Sequence, residues 1–213
     1  MASKMNYRRI LIALNILVLL VVVAGVVYIY LSPGDETFTE TSPVPASGQR
    51  LVIDVEGEAN GTIEIALLPE IAPQHVAQVV ALAEADAYDG VVFHRVIDGF
   101  MAQTGDVEFG RSDADLARAG MGGSDRPDLP AEFSDIPFER GVLGMARAQS
   151  PNSANSQFFI MFDEAPFLNG QYTVFGRVVS GMDVVDAIKR GEGPNGSVLG
   201  TPDVMTDVRV VSE

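Results

Sequence analysis

Beyond residue 50 the chain is divided into short runs of β-branched and aromatic residues, most of them bounded by glycine, asparagine, aspartate or proline. The first two runs, Leu51–Val55 and Thr62–Leu68, flank Asn60-Gly61, which is a strong signal for a β-hairpin. Short strands at this spacing favour an all-β fold of the barrel type. The later runs are Val91–Ile97, Phe100–Gln103, Gly141–Ala148, Ser156–Phe162, Tyr172–Val179 and Val204–Val211.

Two segments interrupt the strand pattern and predict helices that would cap the ends of a barrel. Pro73 begins an alanine-rich segment that extends to about Ala87, and proline is favoured in the first turn of a helix. Ser180 is placed to cap a second helix that would run through Ile188. Residues 105–130 are rich in glycine and aspartate, and they predict a long loop.

The N-terminal part of the chain has a different character. The apolar run from Ile10 to Leu31 is long enough to cross the roughly 30 Å hydrocarbon core of a bilayer as a helix, at about 1.5 Å per residue. Basic residues precede this run and acidic residues follow it, so the positive-inside rule predicts a cytosolic N-terminus. The alternative is a cleaved signal peptide, whose apolar region is usually shorter, about 7–15 residues.

These patterns divide the chain into four parts. We predict a cytosolic tail over 1–9, a single transmembrane helix over 10–31, a flexible linker over 32–50 and one folded domain over 51–213. The linker is rich in Ser, Thr, Pro and Gly, a composition that buries too little apolar area to offset the entropy of ordering. The predicted location is therefore the inner (cytoplasmic) membrane, with the folded domain on the periplasmic or extracytoplasmic side.

The composition excludes several classes of function. The formal net charge of −15 opposes binding to nucleic acid. The chain has no cysteine, and its two histidines are distant in sequence, so we expect no zinc site.

The stretch from Phe93 to Gln103 places one arginine and one glutamine among large apolar residues. In the predicted strand 93–97 the alternation puts Phe93, Arg95 and Ile97 on one face and His94 and Val96 on the other. No nucleophile–base pair is present in this stretch. The pattern suits a site that binds an apolar group while Arg95 donates to a neighbouring carbonyl or amide, although an ordinary hairpin with an incidental arginine gives the same pattern.

Four further segments favour a functional site over an ordinary hairpin. In order and spacing they and Phe93–Gln103 resemble the cyclophilin family of peptidyl-prolyl cis–trans isomerases, over about residues 51–213. The resemblance implies a closed eight-stranded antiparallel β-barrel capped by two α-helices, with an active-site groove on its outer surface and no cofactor. The four segments are Gly144–Ala148, Asn155–Ile160, Phe167–Gly170 and Val174–Val178.

The resemblance also implies roles for individual residues. Arg95 matches the family's catalytic arginine, and Gln103 matches the glutamine that binds the substrate backbone. Ala146 and Arg147 match the strand that pairs with the peptide main chain, whereas His94 is read as structural. The residues that match the pocket for the proline ring are Phe100, Met101, Phe159 and Leu168.

Departures from the family pattern concern the rim of the groove. Arg147 stands where the family commonly has asparagine. Phe167 stands where many eukaryotic members have tryptophan and Tyr172 where they have histidine, and both of these changes resemble bacterial cyclophilins. We include Phe167 and Tyr172 among the substrate-binding residues, and the loss of the indole N–H predicts weak cyclosporin binding. The segment 107–132 is longer than in compact members, and it forms either an idle surface loop or a lip for the substrate.

The expected substrates are proline-containing unfolded or extended polypeptides. At the predicted location, isomerisation of their X–Pro bonds would accelerate the folding of exported proteins. The alternative is a chaperone or binding module for proline-containing segments in which catalysis is incidental.

Overall fold

The structure of this chain is a computed structural model that describes residues 48–212. The predicted tail and transmembrane helix, and nearly all of the predicted linker, lie outside the described residues. Neither α-helix found within residues 48–212 has the length and apolar character of a membrane span. The described part consists of nine strands in one antiparallel sheet and two α-helices, together with three short 3₁₀ turns.

The sheet is assembled from neighbours in sequence and from long-range pairs. Its order is β3-β9-β1-β2-β8-β6-β7-β5-β4. The helices are α1 (Pro73–Ala83) and α2 (Met182–Ala187). The strands are β1 (Gln49–Glu56), β2 (Gly61–Leu67), β3 (Val91–Val92), β4 (Arg95–Ile97), β5 (Met101–Thr104), β6 (Val142–Met145), β7 (Phe158–Met161), β8 (Val174–Ser180) and β9 (Val204–Ser212).

The ninth strand arises because the predicted run 91–97 is divided in two. β3 and β4 are the two end strands of the sheet, and Phe93 and His94 connect them. The break also shifts the alternation, so Phe93 and Val96 both lie in the main core while Arg95 is half-buried. The predicted common face for Phe93 and Arg95 is therefore wrong. The all-β fold is confirmed, and closure into a barrel stays a prediction.

Both helices are shorter than the sequence predicts. α1 ends at Ala83 rather than near Ala87. Ser180 is the last residue of β8 and caps nothing, because the residue before α2 is Gly181 with a left-handed φ of 86°. A Cβ on Gly181 would lie 2.2 Å from the carbonyl oxygen of Thr62, so the close approach of these two backbones requires glycine.

The apolar residues form two separate clusters. The larger is the main core, in which residues of β1, β2, β8 and β9 pack with α1. The smaller includes Met101, Phe159 and Leu168, with Phe100 and Tyr172 packed against it as partly buried neighbours. The fold thus gathers a second, shallower apolar cluster beside β4 and β5.

Candidate active site

Arg95 and Gln103 lie opposite one another on the hairpin formed by β4 and β5. They are paired in the antiparallel register, so their side chains share one face. The Nη1 of Arg95 donates to the Oε1 of Gln103 at 3.0 Å. This contact needs only the tight turn at Asp98-Gly99, which explains why a local sequence pattern could locate both residues.

A third residue, which sequence reasoning missed, holds the other side of the guanidinium. The Nε of Arg95 donates to the main-chain oxygen of Asn195 at 2.9 Å, and its Nη2 donates to the Oδ1 of Asn195 at 3.3 Å. Asn195 has a left-handed φ of 56° inside the 3₁₀ turn Pro194–Gly196, a conformation that asparagine tolerates better than most residues. No local sequence pattern predicts a contact between residues that are one hundred positions apart.

Gln103 is held in turn by a chain of amides. Its Nε2 donates to the Oε1 of Gln157 at 2.9 Å, and the Nε2 of Gln157 donates to the main-chain oxygen of Gly122 at 2.7 Å. These bonds set the orientation of both amides, so that the Oε1 of Gln103 faces Arg95. Gln157 lies within the segment Asn155–Ile160 of the family resemblance, but its role was not predicted.

The far end of this chain is anchored by a buried carboxylate. Asp106 is fully buried, and its Oδ2 accepts from the backbone N–H groups of Gly120 and Gly122 at 2.7 and 3.0 Å. Its Oδ1 accepts from Glu108 and Phe109. One side chain therefore organises the glycine-rich part of the long loop and delivers the oxygen of Gly122 to Gln157.

The charge of Arg95 is left available by these contacts. Arg95 makes no salt bridge within residues 48–212, although the chain carries a net charge of −15 and surface arginines such as Arg140 are paired with carboxylates. Burial lowers the pKa of the Arg95 guanidinium, but an arginine stays charged at neutral pH. A cation fixed by neutral oxygens is suited to act on a ligand rather than on a protein carboxylate.

The smaller apolar cluster lies directly beside this cation, and its surface is called the apolar pocket below. The Nη1 of Arg95 lies 3.9 Å from the sulfur of Met101, and Phe159 is paired with Gln103 across β5 and β7. Tyr172 meets Phe159 edge to face at 5.7 Å. The structure therefore brings all the predicted pocket residues together in one cluster, in which Leu168 is buried and Phe100 is partly buried.

Phe167 lies at the open rim of the pocket. Its side chain is 69% exposed, and its ring lies 5.6 Å from that of Phe100. Ala146 follows the end of β6, and its N–H donates to the carbonyl of Gln157 at 2.9 Å. Arg147 extends beyond this point, and its guanidinium lies over the ring of Tyr172, with 4.5 Å to the ring centroid.

Gln103 also lines a second cavity, of about 410 Å³. The glycine-rich loop contributes one wall of this cavity, including Met121, whose side chain is 75% exposed. Ala146 and Arg147 also line the cavity, and they connect it to the apolar pocket, since Ala146 packs against the smaller cluster and Arg147 lies over Tyr172. The C-terminal part of the segment 107–132 therefore borders the groove.

His94 is buried beneath the glycine-rich loop. A Cβ on Gly120 would lie 2.9 Å from its ring, so the backbone of the loop packs closely on the imidazole. Burial lowers the pKa of His94 to about 4, and the nearby carboxylate of Asp106 offsets this only in part. At neutral pH the ring is therefore uncharged, as suits the structural role read from the sequence.

Comparison with known proteins decides the family. The family described as "Cyclophilin type peptidyl-prolyl cis-trans isomerase/CLD" matches residues 52–211. The chain belongs to this family. As a cyclophilin it is a peptidyl-prolyl cis–trans isomerase, which confirms the predicted activity.

Curated relatives of this cyclophilin carry the same activity in their names. The "Probable peptidyl-prolyl cis-trans isomerase" of Brucella suis biovar 1 (strain 1330) is 66% identical over 142 residues, which cover 65% of this chain and 72% of the relative. The protein of the same name from Brucella abortus (strain 2308) is 65% identical over 142 residues, with the same coverage of both chains.

Solved structures agree with the fold. A cyclophilin from Hirschia baltica has a TM-score of 0.61 and 28% identity, covering 79% of this chain and 75% of that chain. A cyclophilin-type isomerase from Cryptosporidium parvum has a TM-score of 0.65 and 25% identity, covering 78% of this chain and 98% of that chain. The roles assigned to individual groove residues stay predictions.

Proposed function

We propose that this cyclophilin isomerises X–Pro bonds in unfolded or extended segments of exported proteins at the outer face of the membrane. The observation that supports the catalytic part is the position of Arg95, an unneutralised cation held by neutral oxygens beside an apolar pocket. A proline in an extended chain presents a compact apolar ring next to an imide nitrogen and a carbonyl. The apolar pocket fits the ring, and the polar pair Arg95 and Gln103 fits the imide nitrogen and the carbonyl.

The reaction requires no acid, base or nucleophile, because no bond is made or broken. The barrier of about 18–20 kcal/mol is the loss of amide resonance as the C–N bond twists. In the twisted state the prolyl nitrogen becomes a better acceptor, so a donor from Arg95 stabilises that state more than the planar ground state. The apolar pocket holds the ring, and Gln103 holds the flanking backbone.

A relative of known structure supports the substrate class. The cyclophilin-type isomerase of Cryptosporidium parvum, 24% identical to this chain with a TM-score of 0.64, was determined in the presence of the dipeptide Ala-Pro. We extend this to longer proline-containing polypeptides, because the second cavity continues the groove beyond the apolar pocket. The exported location rests on the apolar run at 10–31 and on the charges that flank it.

The second candidate is a holdase that binds proline-containing segments, with incidental catalysis. It is favoured by the exposure of two apolar side chains at the groove, Phe167 and Met121. A pure binder, however, gains nothing from a half-buried cation that lies beside an apolar pocket without a carboxylate partner.

Arg95→Lys separates the two candidates, because lysine keeps the charge but loses the fork that Gln103 and Asn195 hold. For an enzyme we expect kcat for a proline-containing tetrapeptide to fall at least tenfold while peptide affinity changes little. Arg118→Lys is the control, since Arg118 is not among the predicted site residues and its guanidinium stacks on the ring of Phe109 at 3.6 Å. Unchanged turnover in Arg95→Lys would favour the holdase.

The location is tested on protein isolated from its native membrane. An intact N-terminus, found by mass spectrometry, together with protease digestion of the folded domain from the outer side, is the expected result. A mature chain that begins between about Ala24 and Gly48 would show that the apolar run is a signal peptide. Digestion only after membrane disruption would place the domain on the cytosolic side.

A further inference from the structure

The guanidinium of Arg147, at the rim of the groove, donates hydrogen bonds to three main-chain oxygens. Its Nε and Nη2 both donate to the main-chain oxygen of Gln171, at 3.3 and 3.0 Å. Its Nη1 donates to the main-chain oxygens of Ala148 and Gln149, at 3.0 and 3.3 Å. The guanidinium thus ties the segment after β6 to the segment before β8. It makes no salt bridge within residues 48–212.

These bonds hold the guanidinium over the ring of Tyr172. The centre of the guanidinium lies 4.5 Å from the ring centroid, within the range of a cation–π interaction. On another side the same ring meets Phe159 edge to face at 5.7 Å. Tyr172 is therefore fixed between a cation above its face and an aromatic residue of the pocket.

Arg147 and Tyr172 lie where the apolar pocket meets the neighbouring cavity. Tyr172 packs against the apolar pocket, whereas Arg147 lines the neighbouring cavity of about 410 Å³. Without the guanidinium, one face of the Tyr172 ring would be open towards the cavity, and the ring could rotate away from Phe159. The wall of the pocket would then depend on a half-buried side chain with no partner on that face.

We propose that Arg147 is a positioning residue that, by holding Tyr172 in place, sets the wall of the apolar pocket and hence the affinity for the proline-containing substrate. This inference rests on the proposed isomerase function of the same groove. Asparagine, which the family commonly has here, is too short to cover the ring of Tyr172 and to bond the main-chain oxygen of Gln171 at the same time. Tyrosine in place of histidine at 172 supplies the larger ring that the guanidinium covers. The two departures from the family pattern therefore act as one unit.

A double-mutant cycle on the full-length protein tests this proposal. KM and kcat are measured separately for a tetrapeptide that contains Ala-Pro, with Arg147→Ala, Tyr172→Ala and the double variant. We expect Arg147→Ala to raise KM about three- to tenfold while kcat changes less than twofold. In the Tyr172→Ala background the same change should raise KM less than twofold, because the ring through which Arg147 acts is gone.

Two further variants separate positioning from a general structural role. Arg147→Lys keeps a cation near the ring but cannot make the forked bonds, so KM should lie between those of the wild type and Arg147→Ala. Arg118→Ala removes an arginine that stacks on Phe109, and it should leave both KM and kcat unchanged. If Arg147→Ala does not fold, judged by circular dichroism, the cycle is run with Arg147→Lys instead.

Other results would overturn the proposal. Equal increases in KM in both backgrounds would mean that Arg147 contacts the substrate directly, and an unchanged KM would mean that it does not affect affinity. If the wild type shows no isomerase activity, the proposed function fails. The cycle is then read from the Kd of the same peptide, measured by NMR titration, so the two failures remain distinct.

Discussion

The two halves of the groove are built by different kinds of interaction. The polar half is a chain of hydrogen bonds from Asn195 through Arg95 and Gln103 to Gln157, with partners that are far apart in sequence. The apolar half is a cluster of rings and aliphatic side chains around Phe159 that touch over broad surfaces. Hydrogen bonds depend on angle and distance, whereas apolar contacts depend mainly on area.

This difference teaches where each half should be sensitive to change. Removing one member of the polar chain reorients its neighbours, so we expect losses mainly in kcat. Removing one member of the apolar half leaves the others in contact, so we expect losses mainly in KM. Among the following predictions, those on Arg95, Phe100 and Asn195 test this division directly, in order of expected size.

The largest expected effect is on the stability of the fold in acid. It comes from His94, a buried and uncharged histidine beside the polar half of the groove. Burial lowers the pKa of His94 from 6.5 to about 4, so the unfolded state binds a proton between these values and the folded state does not. His94 therefore contributes stability that is fully present above about pH 6.5 and is lost as the pH falls to about 4. We expect it to account for about 3 kcal/mol of the acid-dependent loss in the free energy of unfolding.

Urea unfolding of wild type and His94→Gln at pH 7, 6, 5 and 4.5 measures this contribution. The wild type should lose stability more steeply than the variant across this range. Parallel curves would show that His94 does not titrate as its burial requires.

The next effect is on catalysis by the polar half. Arg95→Ala should lower kcat/KM for a proline-containing peptide about ten- to a hundredfold, since one charge-assisted hydrogen bond contributes about 1.5–3 kcal/mol. Most of the loss should be in kcat. The variant should keep a native circular-dichroism spectrum, because Arg95 is only half-buried. A folded Arg95→Ala protein with unchanged kcat/KM would contradict the mechanism.

A smaller effect, with the opposite division, is expected in the apolar half. Phe100→Ala should raise KM about five- to tenfold, because an aromatic contact contributes about 0.5–1.5 kcal/mol and Phe100 borders the pocket. Steady-state kinetics should show a change in kcat of less than about threefold. If kcat falls more than KM rises, the assignment of ring binding to this half is wrong.

Asn195→Gly should give an effect of about threefold in kcat, at the lower end for a hydrogen bond. Glycine keeps the left-handed backbone and the main-chain oxygen but removes the Oδ1 contact at 3.3 Å. Asp86→Gly is the matched control, because Asp86 has a similar φ of 53° and lies outside the groove. A change confined to KM would place Asn195 in ring binding and blur the comparison.

The last prediction concerns affinity for an inhibitor rather than the reaction itself, at the apolar rim of the groove. We expect weak inhibition by cyclosporin A, and Phe167→Trp should strengthen it several-fold, since a gained hydrogen bond contributes about 0.5–1.5 kcal/mol. Phe167 is 69% exposed, so the indole can be accommodated without disturbing the core. Inhibition constants that do not differ between the two proteins would remove Phe167 from the explanation.

The sequence by itself determined the parts of the site that depend on neighbours along the chain. Alternation and turn residues placed β4 and β5 on either side of Asp98-Gly99, and a hairpin register is enough to set Arg95 opposite Gln103. The motifs that resemble the family added the pocket residues. The same local signals wrongly predicted one continuous strand through Phe93 and His94. There the chain leaves its pairing with β9 and crosses to the other end of the sheet, so the alternation of side chains shifts.

Only the tertiary structure decided the contacts that orient these residues. Asn195 meets Arg95 across one hundred residues, and Arg147 meets Gln171 and Tyr172 because β6 and β8 are neighbours in the sheet. Such contacts leave no periodic pattern, since each follows from how the whole sheet is ordered rather than from local propensity. The sequence therefore determined which chemical groups the groove contains, and the order of the strands decided which of them hold one another.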